Sequence, residues 1–374
     1  MKLTIPRDTL APALAALSRV VERRTTIPAL SNILARAAGG TLTLQATDLD
    51  IQAQTALACE SDVDGAITLP AHTLSDIVRK LPAGAAITLE SAATAGDTRM
   101  TLRSGRSRFQ LGTLPESDFP DIAAGTFTHG FALPAKTLAE MIAATEFAIN
   151  TDETRFYLNG IFMHVTEADG APVLRAVATD GHRLARWQVA APEGADGMPG
   201  VIVPRKTVAE LARMAKEHEG EFAFEIADAK IRVTAGATTL TSKVIDGTYP
   251  DYRRTIPSGN DKVATLEAEP LRQAVDRVST ITSERGRAVK LALADGTLAL
   301  SVSNPDSGAA SDEVAADYDG EPIEIGFQVR YLLDILGVLG GDTVQLKLAD
   351  PGAPALLQRR EGDSLLVVLM PMRV

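Results

Sequence analysis

The chain has 374 residues, 45% hydrophobic and only 4% aromatic, with a net charge of -11 and a pI of about 5.1. That length supports two or three compact domains with buried cores, and the acidic balance excludes a uniformly basic nucleic-acid binder without saying how charge is distributed. A single cysteine, Cys59, excludes a disulfide framework and a multi-cysteine zinc site. The opening MKLTIPRDTL lacks a signal-peptide core and no run of about 18 apolar residues occurs, so a cytoplasmic protein that does not enter the membrane is expected.

From the N-terminus, Thr4-Ile5-Pro6-Arg7-Asp8-Thr9-Leu10 reads as a short alternating strand closed by a proline, then a polar step, then apolar residues at helical spacing, Leu10, Leu14, Leu17 and Val21. The same unit returns at Thr68-Leu69-Pro70-Ala71-His72-Thr73-Leu74, at Ala132 to Leu138 and at Ile202 to Val208, with fainter copies at Leu266 to Leu271 and Phe327 to Leu332. Anchored on residues 10, 74, 138, 208, 271 and 332, the copies are separated by 64, 64, 70, 63 and 61 residues. A fixed internal period decides the architecture.

Between the copies the pattern predicts antiparallel hairpins. The first third has strands Asn32 to Ala37 and Thr41 to Ala46 around Gly39-Gly40, then Ala86 to Glu90, a Gly96-Asp97 turn, Arg99 to Arg103, a Gly105 turn and Ser107 to Leu111. Ser117 to Asp121 and Tyr249 to Tyr252 are turn-rich bridges. The middle third has strands Gly160 to Val165 and Val173 to Ala178, the turn Asp180-Gly181, and strands around Lys230 to Thr234 and Leu240 to Val244. The last third has strands Lys290 to Leu293 and Thr297 to Ser301, an acidic loop Asp306 to Glu313 and a final strand Leu365 to Met370. Hairpins alternating with helices indicate an α+β fold: three similar domains, 1–124, 125–253 and 254–374, each internally duplicated. Such repeats stack into an open array or close into a ring, here six domains in a dimer.

Positive charge concentrates on the predicted helices. Arg19, Arg23 and Arg24 end the first, Arg79 and Lys80 lie in the second, Lys136 opens the third, Arg205, Lys206, Arg213 and Lys216 mark the fourth, and Arg272, Arg277, Arg285 and Arg287 the fifth. Acidic residues such as Asp48, Asp50, Glu60, Asp62 and Asp64 fall in strands and loops. An acidic shell with a basic inner face reconciles the low pI with a phosphate-contacting, sequence-independent DNA partner; ordinary solvation of helix faces accounts for the same charges.

The segments RSGRSRF (Arg103 to Phe109), TDGHRLA (Thr179 to Ala185), YPDYRR (Tyr249 to Arg254) and VVLMPMRV (Val367 to Val374), in this order on three repeated domains, resemble the bacterial DNA polymerase III beta subunit family, the sliding clamps, over the whole chain. The resemblance implies the DNA clamp fold, a head-to-tail homodimeric ring around double-stranded DNA, and tethering of the replicative polymerase, without catalysis and without a cofactor or metal. It implies a groove for short peptides of polymerases, the clamp loader, and repair polymerases and mismatch-repair proteins. The groove would be walled by Leu158, Thr179, Gly181, His182, Arg183, Leu184, Pro250, Arg254, Val368, Met370, Pro371, Met372 and Arg373. Methionines around a proline suit several ligands.

Carried over by position, the DNA-facing residues would be Arg24, Arg79, Phe156, Tyr157, Arg205 and Lys206. Phe156 departs from the family's frequent tyrosine and lacks its hydroxyl. The dimer contact would join Phe109 and Leu111, on an edge strand, to Ile281, with Arg103, Arg106 and Arg108 facing Asp312 and Glu313. An enzyme would have to use Asp180, His182 and Asp152 for acid-base work, yet the sequence has no phosphate-cradling glycine loop, no metal spacing among its five histidines and no nucleophile motif. A scaffold that binds only proteins is the better rival.

Overall fold

The computed structural model describes residues 1–91, 99–122, 125–282 and 287–374. The first third contributes β1 (Lys2–Pro6), α1 (Arg7–Leu17), β2 (Asn32–Ala38), β3 (Thr41–Thr47), β4 (Ile51–Ala58), β5 (Glu60–Val63), β6 (Gly65–Pro70), α2 (Ala71–Lys80), β7 (Ala86–Ser91), β8 (Arg99–Ser104) and β9 (Ser107–Gly112). The middle third contributes β10 (His129–Pro134), α3 (Ala135–Thr145), β11 (Gly160–Ala168), β12 (Ala171–Thr179), β13 (Arg183–Ala190), β14 (Val201–Pro204), α4 (Arg205–Glu217), β15 (Glu221–Ala227), β16 (Lys230–Ala235) and β17 (Thr238–Lys243). The last third contributes β18 (Lys262–Glu267), α5 (Ala268–Ser279), β19 (Ala288–Ala294), β20 (Thr297–Asn304), β21 (Gly308–Asp317), β22 (Ile323–Gln328), α6 (Val329–Leu339), β23 (Thr343–Leu348), β24 (Ala355–Gln358) and β25 (Leu365–Leu369).

Each of the six repeats is a strand running directly into a helix, and four of these strands end on the expected proline, Pro6, Pro70, Pro134 and Pro204. A proline fixes φ and lacks an N–H, so it closes a strand and leaves no unmet donor where a helix begins. The helices bury one stripe each: Leu10, Leu14 and Leu17 on α1, Leu271, Val275 and Val278 on α5, Leu332, Ile335, Leu336 and Leu339 on α6. That spacing is the 3.6-residue period of an amphipathic helix.

The described residues form two compact units, one of Met1–Ala135 and Glu217–Val244, the other of Lys136–Lys216 and Ile245–Val374. The first holds a five-stranded sheet, β5-β1-β7-β8-β9, and an eight-stranded sheet, β10-β15-β16-β17-β4-β3-β2-β6, with α1 packed on α2. The second holds a twelve-stranded sheet, β14-β11-β12-β13-β25-β24-β23-β18-β21-β20-β19-β22, with α5 packed on α6. All pairings are antiparallel. Compactness therefore divides the chain differently from the segments 1–124, 125–253 and 254–374. The middle segment shares its hydrogen bonds with both neighbours, β17 pairing β4 (Leu240 opposite Ala53) and β13 pairing β25 (Leu184 opposite Val368).

Three sequence expectations need correction. The acidic loop Asp306 to Glu313 is mostly strand: from Gly308 onward it is β21, paired with β20 from Asn304 opposite Gly308 to Thr297 opposite Ala315. Its strand signal is weak because only Val314 and Ala316, at the far end, are buried apolar residues. The first helix stops at Leu17, and Arg19, Arg23 and Arg24 lie beyond it: the chain leaves through tighter turns, Arg19 N–H to Ala16 O and Val20 N–H to Leu17 O, once its apolar stripe is complete. The fifth helix stops at Ser279, so Ile281 and Arg287 lie past its end, and Arg285 and the Gly96-Asp97 turn lie outside the described residues.

Candidate functional site

The TDGHRLA segment is a built turn. Asp180, after β12, accepts the backbone N–H groups of His182 (2.9 Å) and Arg183 (3.0 Å) on one carboxylate oxygen, and the Thr179 hydroxyl accepts from Gly181 N–H (3.1 Å) while donating to Arg183 O (2.8 Å). Short polar side chains close such turns on their own backbone. Gly181 sits at φ +90°, where a side chain would be strained and would meet the Arg155 guanidinium. Arg155 donates to Asp180 O (2.8 Å), and Met370 N–H donates to His182 O (2.8 Å), which brings the C-terminal segment to the tip of the turn.

Beneath the turn, strand register assembles a floor. Thr179 lies opposite Leu184, Leu184 opposite Val368 and Val368 opposite Leu356, one row across β12, β13, β25 and β24. Two residues along, on the same face, run Ile202, Phe162, Val177, Arg186 and Leu366, and two further along His164, Arg175 and Gln188. Leu158, Leu184 and Val368 are buried in a cluster with Val177, Ile202, Tyr249, Tyr252, Leu356 and Leu366. Over this face lies the segment 249–256, carrying Pro250 and Arg254, both exposed. On the remaining side stand Met370 (36% exposed), Pro371, Met372 (41%) and Arg373. The structure thus gathers the expected groove residues in its second unit, as a buried floor with exposed walls.

The tail is fixed at its far end: Met372 N–H donates to Gly326 O (2.7 Å) on β22, and a methyl group at Gly326 would lie 2.6 Å from Met372 O and overlap Val374. A cavity of about 630 Å³ opens between this tail, residues 324–326 and the 351–352 loop.

Arg183 is mostly inside the site. It pairs with Asp180 (3.1 Å) and Asp334 (2.6 Å), and its guanidinium lies 4.3 Å from the Tyr331 ring centre and 5.1 Å from that of Phe147. His182 stacks on Tyr331 at 6.1 Å and remains exposed. Sequence reasoning missed Phe147, Tyr331, Asp334, Leu356, Tyr249 and Tyr252 as parts of this site. Tyr331 precedes the sixth-repeat anchor Leu332, and Tyr249 and Tyr252 lie in the YPDYRR segment, so these three were within reach; Phe147, Asp334 and Leu356 carry no pattern that assigns them to a groove.

Burial dominates the electrostatics behind the floor. It pushes the Tyr249 hydroxyl upward and depresses the Arg186 guanidinium, and it lowers His164 to about 4. Among the described residues no group of three or more His, Cys, Asp or Glu is placed to hold a metal ion, and no helix is long and apolar enough to cross a membrane.

Of the residues expected to face DNA, Arg24, Arg79, Arg205 and Lys206 are exposed; Arg79 pairs with Asp76 (2.8 Å). Phe156 is 52% exposed and meets Tyr157 edge to face at 5.8 Å, while Tyr157 is half-buried against the floor cluster. Of those expected at the dimer contact, Arg103, Arg106 and Arg108 are exposed, Phe109 is half-buried and Leu111 is 6% exposed within its own sheet, all on β8, β9 or their turn, with β9 an edge. Ile281 is half-buried and its carbonyl accepts from Asn304. Asp312 pairs with Arg277 of its own chain (2.6 Å), which lowers its pKa.

Three family models match the chain in order: the N-terminal domain of the DNA polymerase III beta subunit over residues 1–123, its central domain over 132–251 and its C-terminal domain over 253–373. A beta sliding clamp of Caulobacter vibrioides is 48% identical over 374 residues, covering all of both chains, and one of Pseudomonas putida is 40% identical over 375 aligned positions, again covering both. Among solved structures, a sliding clamp from Bartonella birtlesii bound to griselimycin superposes with a TM-score of 0.95 at 48% identity, each chain covered completely.

Proposed function

We infer the function from one premise: the chain belongs to the DNA polymerase III beta subunit family, the beta sliding clamps. It is a processivity clamp. Two copies close head to tail into a six-domain ring around duplex DNA, and each tethers the replicative polymerase through a short peptide held in the groove between the Thr179–Leu184 turn, the Pro250 to Arg254 segment and the Met370 to Arg373 tail. The clamp loader, repair polymerases and mismatch-repair proteins use the same groove. The protein works in the cytoplasm and catalyses no reaction. Its domains are 1–124, 125–253 and 254–374.

The observation that carries this reading is the likeness from end to end, three domain models in the family's order on one chain. Chemistry supports the division of labour. Arg24, Arg79, Arg205 and Lys206 supply phosphate contacts without base readout, and such contacts alone release DNA readily as salt rises. A closed ring removes that constraint, because it can slide yet cannot fall off. Phe109, Leu111, Arg103, Arg106 and Arg108 on one copy and Ile281 on the other form the closing contact.

Primer extension on a long primed circular template, with the organism's replicative polymerase and clamp loader, tests the proposal. Adding the chain should lengthen the products of a single binding event by at least about tenfold, a gain worth roughly 1.4 kcal/mol in the balance between extension and release. Products of unchanged length would refute it.

A further inference from the structure

The segment 249–256, which carries Pro250 and Arg254, is attached to its sheet in an unusual way. Its backbone hydrogen bonds Arg254 N–H to Asp251 O and Ile256 N–H to Arg253 O are local, and it belongs to no strand. What ties it to the sheet is side chains. Tyr249 stacks flat on Phe162 of β11, at 4.8 Å and 9°, and Phe162 stacks in turn on His164, at 4.7 Å and 22°. Tyr252, 4% exposed, carries its hydroxyl down to the polar row of the floor. There it lies 3.0 Å from His164 Nε2 and 3.3 Å from Arg175 Nη1, while Arg175 Nε donates to Gln188 Oε1 (2.8 Å).

The directions of these bonds follow from what each group can do. A guanidinium only donates, so the Tyr252 oxygen accepts from Arg175, and the phenolic proton is left to point at His164 Nε2. That nitrogen must then be the unprotonated one. Its partner Nδ1 carries the hydrogen and faces Val165 O at 3.4 Å. Because His164, Arg175 and Gln188 are cross-strand neighbours on β11, β12 and β13, the three-strand sheet itself fixes where the hydroxyl can dock. Two groups with complementary donor and acceptor roles meet one hydroxyl, and a shift of the segment by one residue would leave the buried Tyr252 hydroxyl and His164 Nε2 without these partners, each at a cost, while Arg175 would keep only its bond to Gln188.

We propose that Tyr252, latched by His164 and Arg175, is a positioning residue that holds the Pro250–Arg254 wall at a fixed height above the groove floor and so sets the affinity of the groove for its peptide ligands. This rests on the groove reading above. The latch touches no ligand; it acts by removing the freedom of a wall that has no strand to hold it.

The test uses the full chain and, as probe, a peptide carrying the clamp-binding segment of the organism's replicative polymerase, with binding measured by calorimetry and hydrogen exchange followed across residues 249–256. Tyr252→Phe keeps the ring and removes the hydroxyl. It should weaken binding of this peptide about five- to tenfold, the size of one buried hydrogen bond, and quicken exchange in 249–256 while β11 to β13 keep their protection. His164→Leu should do the same, and His164→Gln, which restores an acceptor, should recover most of the affinity; these variants carry the test if Tyr252→Phe does not fold. Unchanged affinity in folded Tyr252→Phe and His164→Leu would overturn the latch. Failure of the unaltered chain to bind this polymerase peptide would instead overturn the groove reading beneath it, with the exchange pattern still reporting whether the hydroxyl anchors the segment.

Discussion

His164 shows how a single buried side chain makes stability depend on pH. Tyr252, Arg175 and Arg253 surround it, and burial, with the two nearby cations, holds its pKa at about 4 instead of 6.5. The unfolded chain therefore takes up the proton first, below pH 6.5, and the folded state loses stability as pH falls from 6.5 toward 4; above 6.5 both states are neutral and the effect vanishes. A full shift of this size corresponds to at most about 3 kcal/mol, and screening by residual solvent reduces the expected loss to about 1–2 kcal/mol. Thermal unfolding at pH 7.5 and 4.5 checks it: His164→Gln, which does not titrate in this range, should lose less stability than the parent, and equal losses would contradict the assignment. At the same scale, Arg183 was expected as a wall residue from its place in TDGHRLA, but Asp334 and Tyr331, about 150 residues away, draw it inward. A local motif holds no information about partners at that separation.

The strand-helix repeats were legible because each copy couples two periods, an alternating strand and then a 3.6-residue stripe, and in the first four a proline between them fixes the phase. Elements without such contrast were not legible. In β24, Ala355, Leu356, Leu357 and Gln358 are all buried, so no alternation assigns Leu356 to the floor, and β21 exposes most of its length. The segments proposed to wall the groove are recognisable in the sequence through resemblance, but the floor beneath them depends on register between strands distant in sequence, Leu184 to Val368 to Leu356. The tail is likewise held by a distant element. Gly326 on β22 admits Met372 and Val374 only because it has no side chain. Gly326→Ala should displace the tail, weaken binding of the replicative-polymerase peptide by about tenfold or more, and cost about 1–2 kcal/mol in unfolding measurements. Unchanged peptide affinity would mean the tail's seating on β22 does not matter to the proposed groove.

For the whole molecule, the tension is between a net charge of -11 and a polyanionic partner. Net charge supplies no overall attraction of such a protein to DNA, and a topological link makes strong affinity unnecessary. Arg24, Arg205 and Lys206 are exposed; in the DNA-facing role proposed for them they would meet phosphates without sequence preference, which favours sliding. The decisive measurement is to load the chain with its clamp loader onto a nicked circular plasmid, isolate the complex by gel filtration in moderate salt, and cut the plasmid once. The account predicts that the chain stays with the intact circle and is lost within minutes of linearisation, and that blocking both ends with bound protein restores retention. Equal retention on circular and open linear DNA would contradict it.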